Sequence, residues 1–317
     1  MKKKLYIVDL LEEPGHIRFV KKLIDILEKS LEVTFISSAR YIKQINPVKW
    51  ISLNDKYFDF SGSVGFVESQ LKVIAELKRI IPNADTPILV TGFENISFRL
   101  RWNFKNPTFA FLHNNPEKSF LSRSFLFFPN RNIHFLAFET YIASYLETKG
   151  LNVHYVPHPI QLKPNISNGH QGENFIFVPH KIINGEYFKK LITYANKNDL
   201  KIYAKGDSNM ANQHNVFIKP YFENYEYMLQ EACFVVLDIK YDYRISGIFY
   251  ESMMLNKKIV FETTSNRFSK EMVKLYQENV GVSDLELVKT MAPENSQFLQ
   301  RHSDAEVLNR LLKIIYE

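Results

Sequence analysis

Two periods of hydrophobicity alternate along this chain. Lys4-Leu-Tyr-Ile-Val-Asp-Leu10 is a short β-prone run, and it stops at the breaker Glu13-Pro-Gly-His16. From Ile17 to Lys29 the apolar residues fall at 17, 20, 23, 24 and 27, which is helical spacing. Leu31-Glu-Val-Thr-Phe-Ile-Ser37 is the next strand. The pattern goes on to predict a helix over Phe66–Ile81, strands over Pro87–Thr91, Thr108–Leu112 and His134–Phe138, a helix over Thr140–Lys149 and a strand over Asn152–Val156. Strands alternating with helices predict a parallel sheet covered on both faces.

The alternation stops between Val156 and Asn174. Val156-Pro-His-Pro-Ile160 has too much proline for a helix or a central strand, and Lys163–Gly172 is polar and rich in Asn, Ser and Gly. The pattern then restarts, with strands over Phe175–Val178, Lys201–Ala204, Val216–Lys219, Phe234–Leu237 and Lys258–Phe261. Helices are expected over Glu186–Asn196, Asn224–Glu231 and Gly247–Leu255. The tail Asp304–Tyr316 repeats apolar residues at 307, 308, 311, 312 and 315, an amphipathic helix. The expected organisation is therefore α/β, with two Rossmann-like domains at 1–158 and 174–302, a linker at 159–173 and a C-terminal helix at 303–317. Ligands are expected at the carboxyl ends of the strands, in a cleft between the lobes.

Composition narrows this picture without changing it. The chain has 317 residues, 45% hydrophobic and 23% charged, which suits two globular domains. No apolar run approaches the roughly 18 residues that span a bilayer. Asp9, Glu12 and Glu13 interrupt any signal-type hydrophobic segment after the basic start, so a cytoplasmic location is expected. The single cysteine, Cys233, sits in an apolar run and reads as a buried structural thiol. A net charge of +6, spread among 34 acidic residues, fits anionic ligands or an anionic membrane surface. It carries no basic block, zinc pattern or RNP-type motif, and no nucleic-acid partner is expected.

The chemistry concentrates in Tyr241-Asp-Tyr-Arg-Ile-Ser-Gly-Ile-Phe-Tyr-Glu251, which follows the strand at Phe234–Leu237 and opens a helix. A small-residue turn at Ser246-Gly247 lets backbone N–H groups and the helix dipole meet a phosphate. Arg244 could neutralise a diphosphate, and Glu251, about one turn further in, could accept two hydroxyl hydrogen bonds from a ribose. The bland alternative is that Glu251 salt-bridges an exposed helix and Arg244 is a surface residue.

This segment, with Phe175-Ile-Phe-Val and Lys201-Ile-Tyr-Ala-Lys-Gly206, resembles the nucleotide-binding lobe of GT-B glycosyltransferases, in particular the retaining group with a Glu-x7-Glu motif. The sharp resemblance covers about residues 175–265. Glu251 matches the second glutamate, which implies a ribose contact, while Tyr243 stands where the first glutamate belongs. The resemblance implies phosphate contacts at Lys181 and Lys205; family basic positions after the first strand are here His180 and Gly185. In the first lobe it implies a donor- or acceptor-facing turn at Gly15-His16 and a histidine near the donor sugar at His113. Gly15 admits positive φ and a close backbone approach; His16 suits general base work. Capping or core roles are the plain alternatives for both histidines, and a structural role is expected for His158 in the hinge.

Two aromatic-basic stretches, Phe98-Arg-Leu-Arg-Trp-Asn-Phe104 and Phe120–Phe128, are unusually apolar for loops. They read either as core packing or as a patch for an anionic membrane at its inner face. No Asp-x-Asp metal motif follows a first-lobe strand, so metal-independent transfer with no cofactor is expected. The resemblance thus implies transfer of a sugar from a nucleotide-diphosphate sugar to a glycan or lipid-linked acceptor, as in surface polysaccharide synthesis. Three rivals remain open. Asp242-Tyr-Arg-Ile-Ser246 loosely echoes the Asp-Tyr-Ser-Ser-like segment of teichoic-acid-type CDP-polyol phosphotransferases. A sugar-nucleotide 2-epimerase and a non-catalytic GT-B-like binding protein are the others.

Overall fold

The computed structural model describes residues 2–82, 85–128, 132–160, 174–181, 185–206 and 214–317. The chain forms two compact units: Met1–Gln161 with Tyr243–Ile245 and Arg301–Glu317, and Leu162–Asp242 with Ser246–Gln300. The expected second domain, 174–302, differs from this at Tyr243–Ile245 and at Arg301–His302, which belong to the first unit. Most of the expected linker, 161–173, lies outside the described residues.

The first unit runs β1 (Lys4–Asp9), α1 (Ile17–Leu27), β2 (Glu32–Ser38), α2 (Ala39–Ile45), β3 (Trp50–Leu53), α3 (Gly62–Ile80), β4 (Ile88–Gly92) and α4 (Asn95–Arg101). It continues with β5 (Thr108–Phe111), α5 (Phe120–Leu126), β6 (Ile133–Ala137), α6 (Thr140–Glu147) and β7 (Val153–Tyr155). These strands form one seven-stranded sheet in the order β3-β2-β1-β4-β5-β6-β7. Every neighbouring pair is parallel; Ile7, for example, lies opposite Phe35 on one side and Leu89 on the other.

The second unit comprises β8 (Phe175–Lys181), α7 (Gly185–Lys197), β9 (Lys201–Lys205), β10 (Val216–Lys219), α8 (Tyr225–Glu231), β11 (Phe234–Leu237) and α9 (Gly247–Met254). After these come β12 (Lys258–Phe261), α10 (Arg267–Leu275), β13 (Val280–Val282), α11 (Leu285–Thr290) and α12 (Ser296–Arg301). Its six parallel strands are ordered β10-β9-β8-β11-β12-β13. Both sheets are thus doubly wound, and strand order reverses between β1 and β4 in one and between β8 and β11 in the other. Such reversals open a crevice at the carboxyl ends of the strands.

Central strands are apolar on both faces, as double coverage requires. Ile7, Val8, Ile88, Leu89 and Val90 are fully buried in the first unit, and Phe175, Ile176 and Phe177 in the second. Helix α1 buries Phe19, Val20, Leu23, Ile24, Ile26 and Leu27 against its sheet. The last helix, α13 (Asp304–Tyr316), adds Val307, Leu311 and Ile315 to the same core. Each such side chain contributes roughly 1.5–3 kcal/mol by burial. Ser303 caps α13 by accepting the Glu306 N–H, and Asp304 in its first turn receives Lys22 and Lys29 at 2.7 and 2.9 Å. Cys233 is half-buried, with its thiol donating to the Phe175 carbonyl.

The two aromatic-basic stretches are helices with different fates. Phe98, Trp102 and Phe104, on and after α4, are core residues, whereas Phe120, Leu121 and Phe128 on and after α5 are exposed. Short elements with few periodic positions, such as α2, β3, β13 and α10 to α12, did not stand out in the sequence.

At the junction with α13, Arg301 donates from Nη2 to Glu139 Oε2 at 2.5 Å and from Nε to the Tyr155 hydroxyl at 2.6 Å. Glu139 is fully buried. Removing the guanidinium strands that carboxylate, and Arg301→Met should lower stability by about 3–5 kcal/mol in urea unfolding. The charge-keeping Arg301→Lys should cost less, because one Nζ replaces one of the two hydrogen bonds.

Candidate functional site

In the first unit the site begins where β1 runs out of apolar residues. Asp9 is fully buried; its Oδ2 accepts the Thr91 hydroxyl at 2.7 Å, and its Oδ1 accepts the N–H groups of Leu11 and Glu12 at 3.0 and 2.8 Å. Burial pushes its carboxyl upward, against these hydrogen bonds and the nearby His16. Glycine at 92 suits this crowding, since a Cβ there would stand 3.3 Å from Asp9 Oδ2. Asp9 and Thr91 therefore lock together the ends of β1 and β4, the strands at the reversal of order.

Two histidines stack at this edge. His113 follows β5, and its Nε2 lies 2.8 Å from the Thr91 carbonyl. A carbonyl only accepts, so Nε2 carries the proton and Nδ1 holds the lone pair. His16, at the start of α1, lies parallel to it with ring centroids 4.1 Å apart and planes 27° apart. Its Nε2 faces Glu13 Oε2 at 3.2 Å, while its buried Nδ1 has no hydrogen-bond partner among the described residues. Phe19 closes the stack, its ring edge-on to His113 at 4.9 Å.

Burial, then the charges of His16 and His158, drive the His113 pKa well below the ordinary histidine range; Arg244 acts in the same direction and the Thr91 carbonyl opposes it. His158 packs on Phe19 and Phe138, and burial lowers its pKa to about 3. His302 contacts the His158 carbonyl at 3.1 Å and is likewise pushed down by burial to about 3.

In the second unit the candidate phosphate lysines come together. Lys181 and Lys205 are register partners at the carboxyl ends of β8 and β9, past a bulge between Val178 and Lys181. Helix α9 opens at Ser246, whose hydroxyl accepts the Phe249 N–H at 3.3 Å. That cap leaves the N–H groups of Gly247 and Ile248 as the helix's unpaired first donors. A Cβ built at Gly247 meets nothing within 4 Å. Glu251 is one turn in, and the Tyr225 hydroxyl donates to its Oε2 at 2.9 Å. Between β8 and β11, His180 Nε2 accepts the Asp238 N–H at 2.8 Å, and burial lowers its pKa to about 4 against the pull of Asp238. A surface pocket of about 540 Å³ opens there, lined by Asp238, Lys240, Glu262, Glu186 and Lys189 among others.

Several expectations change in detail. Gly15 lies in a 3-10 turn over Pro14–His16, without positive φ and with open space where a Cβ would be, so left-handed geometry does not account for it. Arg244 belongs with Tyr243 and Ile245 to the first unit, where its charge bears on His113. Tyr243 stacks on Tyr145 at 3.6 Å, and its N–H donates to Glu117 Oε1 at 2.6 Å. Asp207, beyond Lys205-Gly206, lies outside the described residues. Asp9, Glu13, Thr91, Tyr225 and Asp238 escaped the sequence reading. A carboxylate closing an apolar strand was the available signal for Asp9 and Asp238; Tyr225 had none, since its contact is tertiary. Among the described residues, no group of three or more His, Cys, Asp or Glu is placed to hold a metal ion.

Taken together, these features define a doubly wound, two-unit α/β protein with histidines at one strand-order reversal and, in the other unit, two lysines paired at adjacent strand ends. No family model matches the chain, and no curated protein matches it in sequence. Solved structures share its fold. It is similar to Anabaena HepE, solved in complex with UDP and glucose, at 13% identity and a TM-score of 0.66 over 99% of each chain. It is similar to UDP-N-acetylglucosamine 2-epimerase from Rickettsia bellii at 12% identity and a TM-score of 0.61, covering 99% of this chain and 96% of that one. S. aureus TarM, solved with UDP and alpha-GlcNAc-glycerol, matches 81% of this chain and 60% of its own at 13% identity and a TM-score of 0.59. The chain thus shares with these structures a fold of two Rossmann-like units.

Buried neutral histidines make stability fall with acid. His113, His158 and His302 bind protons in the unfolded chain near the ordinary histidine value of 6.5 but resist them when folded, so stability is full above that pH and is lost as pH falls, toward about 3 for His158 and His302. Asp9, raised by burial, works in the opposite sense at the acid end. Thermal unfolding should show a loss of roughly 1–2 kcal/mol at about pH 5 for each of His158 and His302. His158→Gln and His302→Gln should each flatten that pH dependence.

Proposed function

We propose that this chain is a glycosyltransferase that moves a sugar from a nucleoside diphosphate to a glycan or lipid-linked acceptor. The observation that carries the reading is the opening of α9: an uncrowded glycine at its N-terminus, with a Tyr225-oriented carboxylate one turn further in. That is the spacing a diphosphate followed by a ribose requires, the first meeting N–H groups and the second offering hydroxyls to Glu251. Lys181 and Lys205 add positive charge in the same unit.

In the reaction an acceptor oxygen forms a bond to the anomeric carbon and the bond from that carbon to the phosphate oxygen breaks. Negative charge then grows on the departing nucleoside diphosphate, where the lysines and the α9 N–H groups of the second unit would stabilise it. The acceptor proton needs a base. Two imidazoles stacked at 4.1 Å repel one another if both are charged, and burial holds His113 neutral. His16 is therefore the proposed base, with Glu13 orienting its ring, and His113 is its neutral stacking neighbour. No metal or cofactor is assigned a role. A part in surface polysaccharide synthesis follows from the acceptor class.

The likeness to the R. bellii epimerase over nearly the whole of both chains favours a second reading, sugar-nucleotide epimerisation. An epimerase converts the donor with no acceptor present, so mass balance on UDP-N-acetylglucosamine alone separates the two.

Titration with UDP-, GDP-, TDP- and CDP-linked donors should show one that raises the melting temperature. Glu251→Ala should weaken its binding by about 1.5–3 kcal/mol, the cost of charge-assisted hydrogen bonds to ribose. Gly247→Val, with space around its Cβ, should leave the melting temperature of the free protein unchanged and still block binding. If no donor binds, or if both variants bind as well as the parent, the reading fails.

A further inference from the structure

Helix α5 carries an outward stripe that stands exposed among the described residues. Phe120, Leu121 and Phe128 are 78%, 61% and 70% exposed. With Ser124 they fall within about 100° of one helical face, and the turn continues past the helix end through hydrogen bonds from Phe127 and Phe128 to the Arg123 and Phe125 carbonyls. Water is a poor solvent for such a stripe, and singly scattered apolar residues would not call for explanation as a contiguous aromatic one does.

The stripe is built into the fold from behind. Arg99, half-buried on α4, donates to the carbonyls of Phe125, Leu126 and Phe128. Burial lowers its pKa to about 10. Asn95 Nδ2 donates to the Ser122 carbonyl at 3.1 Å, and Leu126 is fully buried on the opposite face. The inner side of α5 is thus pinned while its outer side is held in solvent.

Charge identifies the occupant. Of the five basic residues from Asn95 to Phe128, Arg99 is turned inward onto α5, and the one acidic residue, Glu117, accepts the Tyr243 N–H at its Oε1. Lys118 precedes the stripe, and Arg123, half-exposed, flanks it. A second copy docking through a two-fold axis would set this positive patch against itself. An anionic bilayer offers what the patch lacks: an apolar layer for the rings and phosphates for the cations.

We propose that the α5 face docks on an anionic membrane surface through Phe120, Leu121 and Phe128, with Lys118 and Arg123 on lipid phosphates. This goes beyond the glycosyl-transfer reading and places that reaction beside a lipid-linked acceptor, since His113 lies only a short loop before Phe120. Membrane docking is measured without nucleotide and donor binding without lipid, so either can fail alone.

Flotation of the full chain with phosphatidylcholine vesicles, with and without phosphatidylglycerol, tests it. Wild type should float only with the anionic vesicles, and less so at high salt. The triple variant Phe120→Ser, Leu121→Ser, Phe128→Ser and the pair Lys118→Glu, Arg123→Glu should each lower partitioning roughly tenfold or more. All of these positions are solvent-facing or half-exposed, so the melting temperature and donor binding should not change. The proposal is overturned if wild type fails to float, if it floats equally on both vesicles, or if the triple variant floats like wild type. It is also overturned if sedimentation shows a dimer that the triple variant dissociates.

Discussion

The central strands of a doubly covered parallel sheet have no solvated face, so a charge along them would lack both water and a partner. In this chain the consequence is strict. Ile7 and Val8 are fully buried and apolar, and the next residue is Asp9; Leu89 and Val90 give way to Thr91; Val235 to Leu237 give way to Asp238. Polar chemistry is thereby confined to the carboxyl ends of the strands. At the two reversals of strand order the helices diverge, and the ends of neighbouring strands are left accessible. Asp9 with Thr91, and His180 with Asp238, mark those two places.

The same confinement sets the electrostatics. His113 is anchored to a backbone carbonyl on β4, stacked on a second imidazole and closed off by Phe19, so its proton is expelled by burial and by its neighbours together. The stack can hold one positive charge far more readily than two. The two rings differ in their partners, although both are histidines in similar loops: His113 meets the Thr91 carbonyl and His16 faces Glu13. In the second unit the positive character is arranged differently, through paired lysines at adjacent strand ends and the first N–H groups of α9. Both units thus apply one topological rule to different chemistry.

The expected α/β alternation, most strands within a residue or two, and the amphipathic α13 were legible because each rests on local periodicity. So were the residues at the opening of α9, since Ser246, Gly247 and Glu251 are related by helical spacing alone. The pairing of His16 with His113 was not legible: the two are separated by nearly a hundred positions, and the sequence offered each singly with an ordinary core role equally open. Lys181 and Lys205 meet only through the register of β8 and β9. Phe98 and Phe120 illustrate the opposite limit. Both sit in aromatic-basic stretches of similar composition, yet one is fully buried and the other mostly exposed, because burial depends on which side of α4 and α5 faces the sheet.

By itself the sequence determined which segments are strands and helices, that the sheets would be parallel and that a Ser-Gly turn opens α9; hydrophobic period and turn chemistry are properties of neighbours along the chain. Tertiary structure alone decided that Tyr243–Ile245 belongs with the first unit, that His16 and His113 form a stack, that Tyr225 orients Glu251 and that Arg301 answers the buried Glu139. Each of these joins groups distant in sequence. Their energies come from desolvation and from geometry at a few ångströms, neither of which exists until the strands are ordered side by side.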